Sequence, residues 1–260
     1  MCGIIAVLPK NKHTGITSQL AEVFTDGLVI DSLRGVDGTG VVSVNKWGNV
    51  KWGKVGDHPF KMVQSAGYQA LIKDAIRDGV ILFGHNRKAT VGGIDNDTAH
   101  PFVKDHIIVV HNGNVSNHHE IGKFDVDSEA LAHVLAEEDN PILALNKVRG
   151  AFATMWYNAK SKKFYVCRNN DRPLSYIEMP NYTLLISEAW MGYGLAGRMS
   201  MSKVEPKIHG VAHDMIYEFD IETWKVKELG PVTWKPYTSS TTTTGNTVVD
   251  TTAFGWCGEG

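Results

Sequence analysis

The sequence predicts an α+β fold in which helices cover antiparallel β-sheets. Short apolar, β-branched segments recur along the chain, several follow one another with only turns between them, and helical segments interrupt them without strict β-α-β alternation. The last observation disfavours a doubly wound parallel sheet. The 260 residues allow one large domain or two small ones, and a hydrophobic content of 43% is ordinary for a globular protein.

The first elements are a strand, a helix and a hairpin. Residues 3–8 form an apolar run that ends at Pro9, which predicts a buried strand. Apolar residues at helical spacing predict a helix over 18–33. Alternating apolar residues over 41–44 and 50–55 flank a glycine-containing loop and predict a hairpin.

The middle of the chain mixes both patterns. We predict a polar helix over 62–78 and apolar, β-branched strands over 80–84 and 106–111. The residues 127–129 are Asp-Ser-Glu and precede an apolar periodic segment over 130–138. Acidic residues in a first turn suit a helix N-terminus, so this segment predicts another helix.

The last third of the chain contains mostly short strands. Pro141 suits the first turn of a further helix, which we expect Gly150 to close. Four strands, a short helix and a final hairpin are then predicted over 151–157, 163–168, 174–178, 182–187, 188–196, 215–220 and 224–229.

The composition changes after Pro236. We therefore divide the chain into a domain over 1–236 and a flexible, Ser/Thr-rich tail over 237–260. Phe254 and Trp256 give this tail an aromatic tip, which either anchors a partner or folds back onto the domain.

Charge and cysteine content restrict the function. Lys+Arg 26 against Asp+Glu 28 gives a net charge of −2, which argues against general affinity for nucleic acid or an anionic membrane. Three scattered cysteines are too few for a disulfide framework and suggest a reducing compartment. No signal peptide and no run of about 20 apolar residues is evident. We expect a cytoplasmic protein.

Cys2 is the first candidate for chemistry. Met1 precedes a small residue, so an aminopeptidase could remove it and leave Cys2 at the N-terminus. The thiol and a free α-amine would then share one residue. An α-amine titrates at about 7.7–8.0 and can accept the thiol proton. The alternative is a cysteine that merely starts a buried strand.

Two further clusters contain arginine. Residues 34–40 are glycine-rich, and Arg34 could pair with Asp37 across a turn that is either structural or catalytic. Arg87 follows a predicted buried strand. An arginine in that position can bind a carboxylate with two parallel hydrogen bonds, whereas an isolated arginine is usually a solvated surface group.

Two more clusters suit anion and cation binding. Asn112 and Gly113 end a strand, and an amide side chain beside a glycine N–H can supply the two donors of an oxyanion hole. A plain Asn-Gly turn is the alternative. Asp127 begins a predicted helix and could cap it, bind a ligand ammonium, or do both.

Together these clusters resemble the glutaminase domain of the class II, N-terminal-nucleophile glutamine amidotransferases, most like that of amidophosphoribosyltransferase. The resemblance covers roughly residues 2–230. Its motifs are Cys2-Gly3-Ile4, Arg34-Gly35-Val36-Asp37, Arg87 with Thr90, His111-Asn112-Gly113-Asn114, Asp127-Ser128-Glu129, Arg168 with Arg172-Pro173-Leu174, and Ser187-Glu188. It implies a four-layer αββα sandwich of two antiparallel sheets.

The resemblance also implies roles in glutamine hydrolysis. Cys2 would be the nucleophile, with its α-amine as the general base. Asn112 and the Gly113 N–H would form the oxyanion hole. Arg87 would hold the α-carboxylate of glutamine and Asp127 its α-ammonium.

Two other residues complete the implied site. Thr90 lies beside Arg87 in what resembles the carboxylate-binding loop, and Arg34 would order the chain around the N-terminus. The sequence departs from the family pattern at Lys88, where an aromatic residue is common. It also departs at Val91, where the hexosamine-6-phosphate synthase branch has histidine.

No P-loop or phosphoribosyl-binding run is evident, so we expect a separate synthase subunit to receive the ammonia. No cofactor or metal is expected, and residues 118–120, His-His-Glu, are interpreted as solvated surface. Two alternatives remain open. One is an amide hydrolase of the same fold with another substrate, and the other is a non-catalytic scaffold or regulatory subunit that retains Met1.

Overall fold

Two antiparallel β-sheets stack face to face, and helices cover their outer faces. The computed structural model describes residues 1–10, 14–90, 92–199 and 207–233. Within these residues the strands are β1 (Gly3–Pro9), β2 (Gly38–Asn45), β3 (Val50–Val55), β4 (Gly79–Arg87), β5 (Phe102–Lys104), β6 (Ile107–Val115), β7 (Gly150–Asn158), β8 (Lys163–Arg168), β9 (Ser175–Glu178), β10 (Tyr182–Ile186), β11 (Ile208–Gly210), β12 (Met215–Asp220) and β13 (Lys225–Pro231).

The helices lie between these strands in the chain. They are α1 (Ser18–Ile30), α2 (Pro59–Gln64), α3 (Ala66–Asp78), α4 (His118–Ile121), α5 (Asp127–Glu137), α6 (Pro141–Asn146) and α7 (Ala189–Met199), and a 3₁₀ turn follows α1 at Asp31–Leu33. No helix in the described ranges is long and apolar enough to cross a membrane.

The strand order explains the layers. One sheet has seven strands in the order β11-β9-β10-β1-β4-β2-β3, and the other has six in the order β13-β12-β8-β7-β6-β5. One apolar core lies between the sheets, a second packs the seven-stranded sheet against α1, α2, α3 and α7, and a third packs the six-stranded sheet against α5 and α6. The predicted αββα sandwich is confirmed.

Strand β1 lies in the interior of the seven-stranded sheet, between β10 and β4. Every one of its residues is buried. Ile4 joins the core between the sheets, and Ile5 joins the core beneath the helices. Burial on both faces explains a continuous apolar run instead of alternation, and each large side chain contributes roughly 1.5–3 kcal/mol through burial. Cys2 is therefore held at the end of a rigid strand.

Several sequence-based boundaries were wrong. The single helix predicted over 62–78 is two helices, because Ser65 is extended (ψ 145°) and its Oγ accepts a hydrogen bond from the Tyr68 N–H at 3.1 Å. Helix α1 ends at Ile30, before the 3₁₀ turn. Gly150 does not close α6 but is the first residue of β7. Helix α6 ends at Asn146, and Lys147 is its C-cap.

Three short elements were not predicted, namely β5, α4 and β11. The predicted tail over 237–260, including Phe254 and Trp256, lies outside the described residues, so the proposed domain boundary stays a prediction.

Candidate active site

Cys2 lies where the end of β1 meets the end of β4. The pairing of Gly3 with Asn86 brings the chain before Gly3 next to the last residue of β4. The Cys2 Sγ accepts a hydrogen bond from the backbone N–H of Lys88 at 3.3 Å and lies 3.6 Å from the Lys88 carbonyl oxygen. Burial raises the pKa of the Cys2 thiol, although the Lys88 N–H acts in the opposite direction. A base is therefore needed to produce the thiolate near neutral pH.

A small pocket brings five of the predicted site residues together. Cys2, Arg87, Thr90, Gly113 and Asp127 line it around a free volume of about 20 Å³. They come from the residue before β1, the end of β4 and the loop after it, the end of β6, and the first turn of α5. Segments far apart in the sequence thus place a thiol, a guanidinium and a carboxylate around one space.

Asn112 lies in β6, directly before Gly113. Its side chain is 1% exposed, and its Nδ2 has no hydrogen-bond partner among the described residues. Leaving a buried donor unpaired costs about 1–3 kcal/mol, so such a group calls for an explanation. An amide donor that is paired only when substrate reacts would provide one.

Gly113 requires the absence of a side chain. Its φ of 154° lies in a region that L-residues rarely adopt. A Cβ there would lie 1.9 Å from the carbonyl oxygen of Ala151 on the neighbouring strand β7. The glycine therefore allows β6 to keep its pairing while its backbone borders the pocket.

Arg87 is buried, with 3% of its surface exposed, and fixes the loop that follows it. Its Nη1 donates to the carbonyl oxygen of Gly93 at 2.5 Å and to Thr98 Oγ1 at 2.9 Å. Thr90 is exposed at the pocket, and Val91 lies outside the described residues. Arg87 thus borders the pocket and also holds one side of the loop.

Asp37 holds the other side of this loop. Its Oδ2 accepts from the Ala89 N–H at 2.9 Å and lies 3.0 Å from the Lys88 Nζ. These interactions lower the pKa of Asp37, the Ala89 N–H most of all. The sequence-based pairing of Asp37 with Arg34 was therefore wrong, because Asp37 faces the loop after β4.

Asp127 is the first residue of α5 and is 8% exposed. Its Oδ2 accepts from the Val115 N–H at 2.7 Å, which links α5 to the end of β6. Asp127 does not cap the helix. Val126 occupies the N-cap position, and a carboxylate in the first turn is instead favoured by the helix dipole.

Arg34 is not among the described residues that line the pocket, and it contacts the N-terminal segment instead. Its Nε donates to the Cys2 carbonyl oxygen at 2.7 Å, its Nη1 forms an ion pair with Glu188, and its Nη2 lies 3.8 Å from the Met1 Sδ. Arg34 therefore holds the backbone of Cys2 in place. Met1 itself is 66% exposed.

Asp31 is a buried acid that the sequence did not single out. Both of its carboxylate oxygens are buried and have no hydrogen-bond partner among the described residues. A Cβ at Gly3 would lie 2.0 Å from the Asp31 Oδ2, so the carboxyl group packs directly against the start of β1. Burial raises the pKa of Asp31 well above its usual value, against the opposing effect of Arg34.

A larger cavity of about 590 Å³ lies between the sheets at the opposite end of β1. Leu8, Tyr176 and Phe219 are among its mostly apolar walls, and Lys10 and Glu178 form an ion pair of 3.7 Å at its edge. Among the described residues that line it there is no cysteine or histidine. This cavity is larger than the Cys2 pocket, but its described walls therefore offer neither a thiol nor an imidazole for catalysis.

Comparisons with known proteins point to a glutamine amidotransferase domain. A family model described as a glutamine amidotransferase domain matches residues 85–190. Glutamine–fructose-6-phosphate aminotransferase (isomerizing) from Idiomarina loihiensis is 28% identical over 197 residues, covering 67% of this chain and 30% of that protein. The same enzyme from Escherichia coli K12 is 26% identical over 196 residues, covering 67% and 29%. The chain thus spans under a third of these relatives' length.

Solved structures share the fold. Glutamine phosphoribosylpyrophosphate amidotransferase from B. subtilis aligns with a TM-score of 0.67 at 19% identity, covering 87% of this chain and 48% of that one. A glutamine aminotransferase class-II domain protein from Silicibacter pomeroyi aligns with a TM-score of 0.51 at 14% identity, covering 89% and 99%. At these identities the likeness shows the fold alone.

Proposed function

We propose that this chain, which contains a class II glutamine amidotransferase domain of the N-terminal-nucleophile type, hydrolyses the side-chain amide of glutamine with Cys2 as the nucleophile. One observation carries the proposal. A single pocket is lined by a thiol, a guanidinium and a carboxylate, and Asn112, beside Gly113, has a buried amide donor that no other described residue pairs with. These groups complement the reacting amide and the two charges of an amino acid.

Binding would use the charged pair. Arg87 would bind the α-carboxylate of glutamine, and Asp127 would bind its α-ammonium. Thr90 would add a hydroxyl beside the carboxylate. Because Arg87 also donates to Gly93 and Thr98, substrate binding and the order of the loop after β4 would be coupled.

The reaction would proceed through a thioester. Removal of Met1 would free the α-amine of Cys2, which accepts the thiol proton as Sγ attacks the amide carbon. Asn112 Nδ2 and the Gly113 N–H would stabilise the oxyanion. The carbon–nitrogen bond then breaks, and the amine returns the proton to the leaving group, which departs as ammonia. Water, deprotonated by the same amine, hydrolyses the thioester and releases glutamate.

Arg34 would position the nucleophile without touching the substrate. Its hydrogen bond to the Cys2 carbonyl oxygen and its ion pair with Glu188 fix the backbone between Met1 and β1. The exposed side chain of Met1 is compatible with its removal by an aminopeptidase. Intact mass of the purified protein, measured together with glutamate release, tests the proposal. Loss of one methionine with glutamine-dependent activity supports it.

The two alternatives give different results in the same experiment. A scaffold that retains Met1 predicts full retention of methionine and no turnover. An amide hydrolase with another substrate predicts loss of methionine and a free Cys2 amine, but no release of glutamate from glutamine. Either result would contradict glutamine hydrolysis.

We further propose that an acceptor uses the ammonia, and the sequence-based expectation is a separate synthase subunit. The curated relatives are named as aminotransferases, which supports a use for the amide nitrogen beyond hydrolysis. Co-purification from the native host tests this. Recovery of a synthase that raises glutamine turnover supports a separate subunit, and recovery of this chain alone with unchanged turnover contradicts it.

A further inference from the structure

Three buried histidines lie together behind the Cys2 pocket. We call His85, His100 and His111 the histidine cluster. The ring centroids of His85 and His100 are 3.7 Å apart, and those of His100 and His111 are 6.4 Å apart. All three residues are at most 3% exposed, and His100 and His111 line the pocket that contains Cys2. The cluster is therefore continuous with the site of the reaction.

Several ring nitrogens of the cluster have no hydrogen-bond partner among the described residues. They are both nitrogens of His100, the Nδ1 of His85 and the Nε2 of His111. The other nitrogens are used structurally. His85 Nε2 lies 3.0 Å from the His111 carbonyl oxygen, and His111 Nδ1 lies 2.9 Å from Ser128 Oγ. So many buried, unpaired polar atoms in one place point to a small polar ligand.

His100 is closely packed. Gly40 on β2 lies so close to His100 that a Cβ there would be 1.7 Å from the His100 carbonyl oxygen. The edge of the His100 ring also packs against Phe102, with ring centroids 4.8 Å apart. Both the backbone and the ring of His100 are therefore closely packed.

The rings of the cluster are uncharged at neutral pH. Burial lowers the pKa of His85 to about 3, and it lowers the pKa of His100 well below the usual value. The charge of Arg87 also lowers the pKa of both rings, and the charge of Lys54 lowers that of His100. Burial also lowers the pKa of His111. The charge of Arg172 lowers it further, whereas the charge of Asp127 raises it. Neutral imidazole offers one donor and one acceptor nitrogen.

We propose that the histidine cluster binds the ammonia released from glutamine and holds it beside the thioester. This inference rests on the proposed function. Ammonia has three N–H donors and one lone pair, which match the acceptor and donor nitrogens of neutral imidazoles. His100 and His111 both line the Cys2 pocket, so ammonia bound to them would lie next to the thioester.

Holding ammonia there would keep it reactive. In neutral water ammonia is mostly protonated, and ammonium has no lone pair with which to attack an acceptor. Neutral imidazoles carry no extra proton to give, so ammonia bound to them stays a nucleophile. A metal ion is a poorer occupant, because the described residues contain no group of three side chains that could hold one.

The test uses ¹⁵N-labelled ammonia as the probe during glutamine turnover. Bound ammonia can attack the thioester, reform the carbon–nitrogen bond and release the Cys2 thiol, so that label enters the amide of glutamine. We expect label incorporation, measured by mass spectrometry, to saturate as the concentration of ammonia rises. We expect His100→Phe, which removes both ring nitrogens, to raise the half-saturating concentration by about tenfold, near the upper limit for loss of one hydrogen bond.

Controls separate this inference from the proposed function. His119→Phe alters an exposed histidine and should leave both hydrolysis and saturation unchanged. If His100→Phe does not fold, His100→Leu removes the same ring nitrogens with a smaller apolar side chain. Incorporation that rises linearly in the unaltered protein, or saturation that the folded variant lacking these nitrogens leaves unchanged, overturns the inference. Absence of glutamate formation overturns the proposed function first, and the ammonia site with it.

Discussion

Replacing Asn112 by alanine tests the oxyanion hole. Asn112 Nδ2 is buried and has no hydrogen-bond partner among the residues that the structure describes, so its hydrogen bond would form only as negative charge develops on the amide oxygen. An interaction made only in the transition state affects kcat and not substrate binding. We expect kcat to fall by about 10²–10³, equivalent to about 2.7–4 kcal/mol, with little change in KM. The Gly113 N–H would support the remaining rate.

The burial of Asn112 Nδ2 also predicts how Asn112→Ala affects the stability of the fold. Truncation removes a buried donor whose lack of a partner costs about 1–3 kcal/mol, and this gain partly offsets the lost packing. We therefore expect a small change in the melting temperature of Asn112→Ala.

Asn112→Asp is the matched control. It keeps the shape of the side chain but replaces the donor with a carboxylate where negative charge develops, so its kcat should fall below that of Asn112→Ala. Steady-state glutamate release at several glutamine concentrations separates kcat from KM. A rise in KM at unchanged kcat, or an aspartate variant as active as the unaltered protein, would refute the oxyanion role.

The remaining predictions concern charge. Arg87→Lys should raise KM for glutamine far more than it lowers kcat, because lysine cannot form two parallel hydrogen bonds to a carboxylate; normal binding measured by calorimetry would exclude this role. Asp127→Asn should likewise weaken glutamine binding, since an asparagine side chain cannot neutralise an ammonium. An unchanged KM would count against a role for Asp127 in binding the α-ammonium. The folded-state pKa of Asp31 is raised above the unfolded value, so the stability linked to Asp31 is complete below about pH 3.9 and is lost as pH rises through the folded pKa. Asp31→Asn should therefore gain melting temperature over the unaltered protein as pH rises from acid to neutral, and a constant difference across that range would disprove the burial of an uncompensated acid.

The fold was largely predictable because most elements have a clear apolar period. Strand β1 and helix α1 are extensively buried, so the spacing of their apolar residues is clear in the sequence. The break at Ser65 was missed because a serine cap inside a polar helical pattern changes little in the period. Strand β5 was missed because three residues, of which two are exposed, cannot show a period.

The candidate site was predictable to a different extent. Residues at strand ends, such as Arg87 and Asn112, are recognisable from short motifs and from the family resemblance. Their contacts are not, because the partners lie far along the chain. The Arg34–Glu188 ion pair joins residues 154 positions apart, and it depends on β1 lying beside β10. The histidine cluster likewise depends on the stacking of the two sheets, which no local pattern encodes.

The most direct test of the account compares two forms of the protein that differ only at the N-terminus. In one form Cys2 is the first residue, and in the other a single residue that cannot be removed precedes it. Intact mass confirms each form, and glutamate release is measured at saturating glutamine. An N-terminal nucleophile at Cys2 predicts turnover by the form with the free Cys2 amine, none by the extended form, and none by Cys2→Ala. Equal turnover by the two forms would contradict the N-terminal nucleophile.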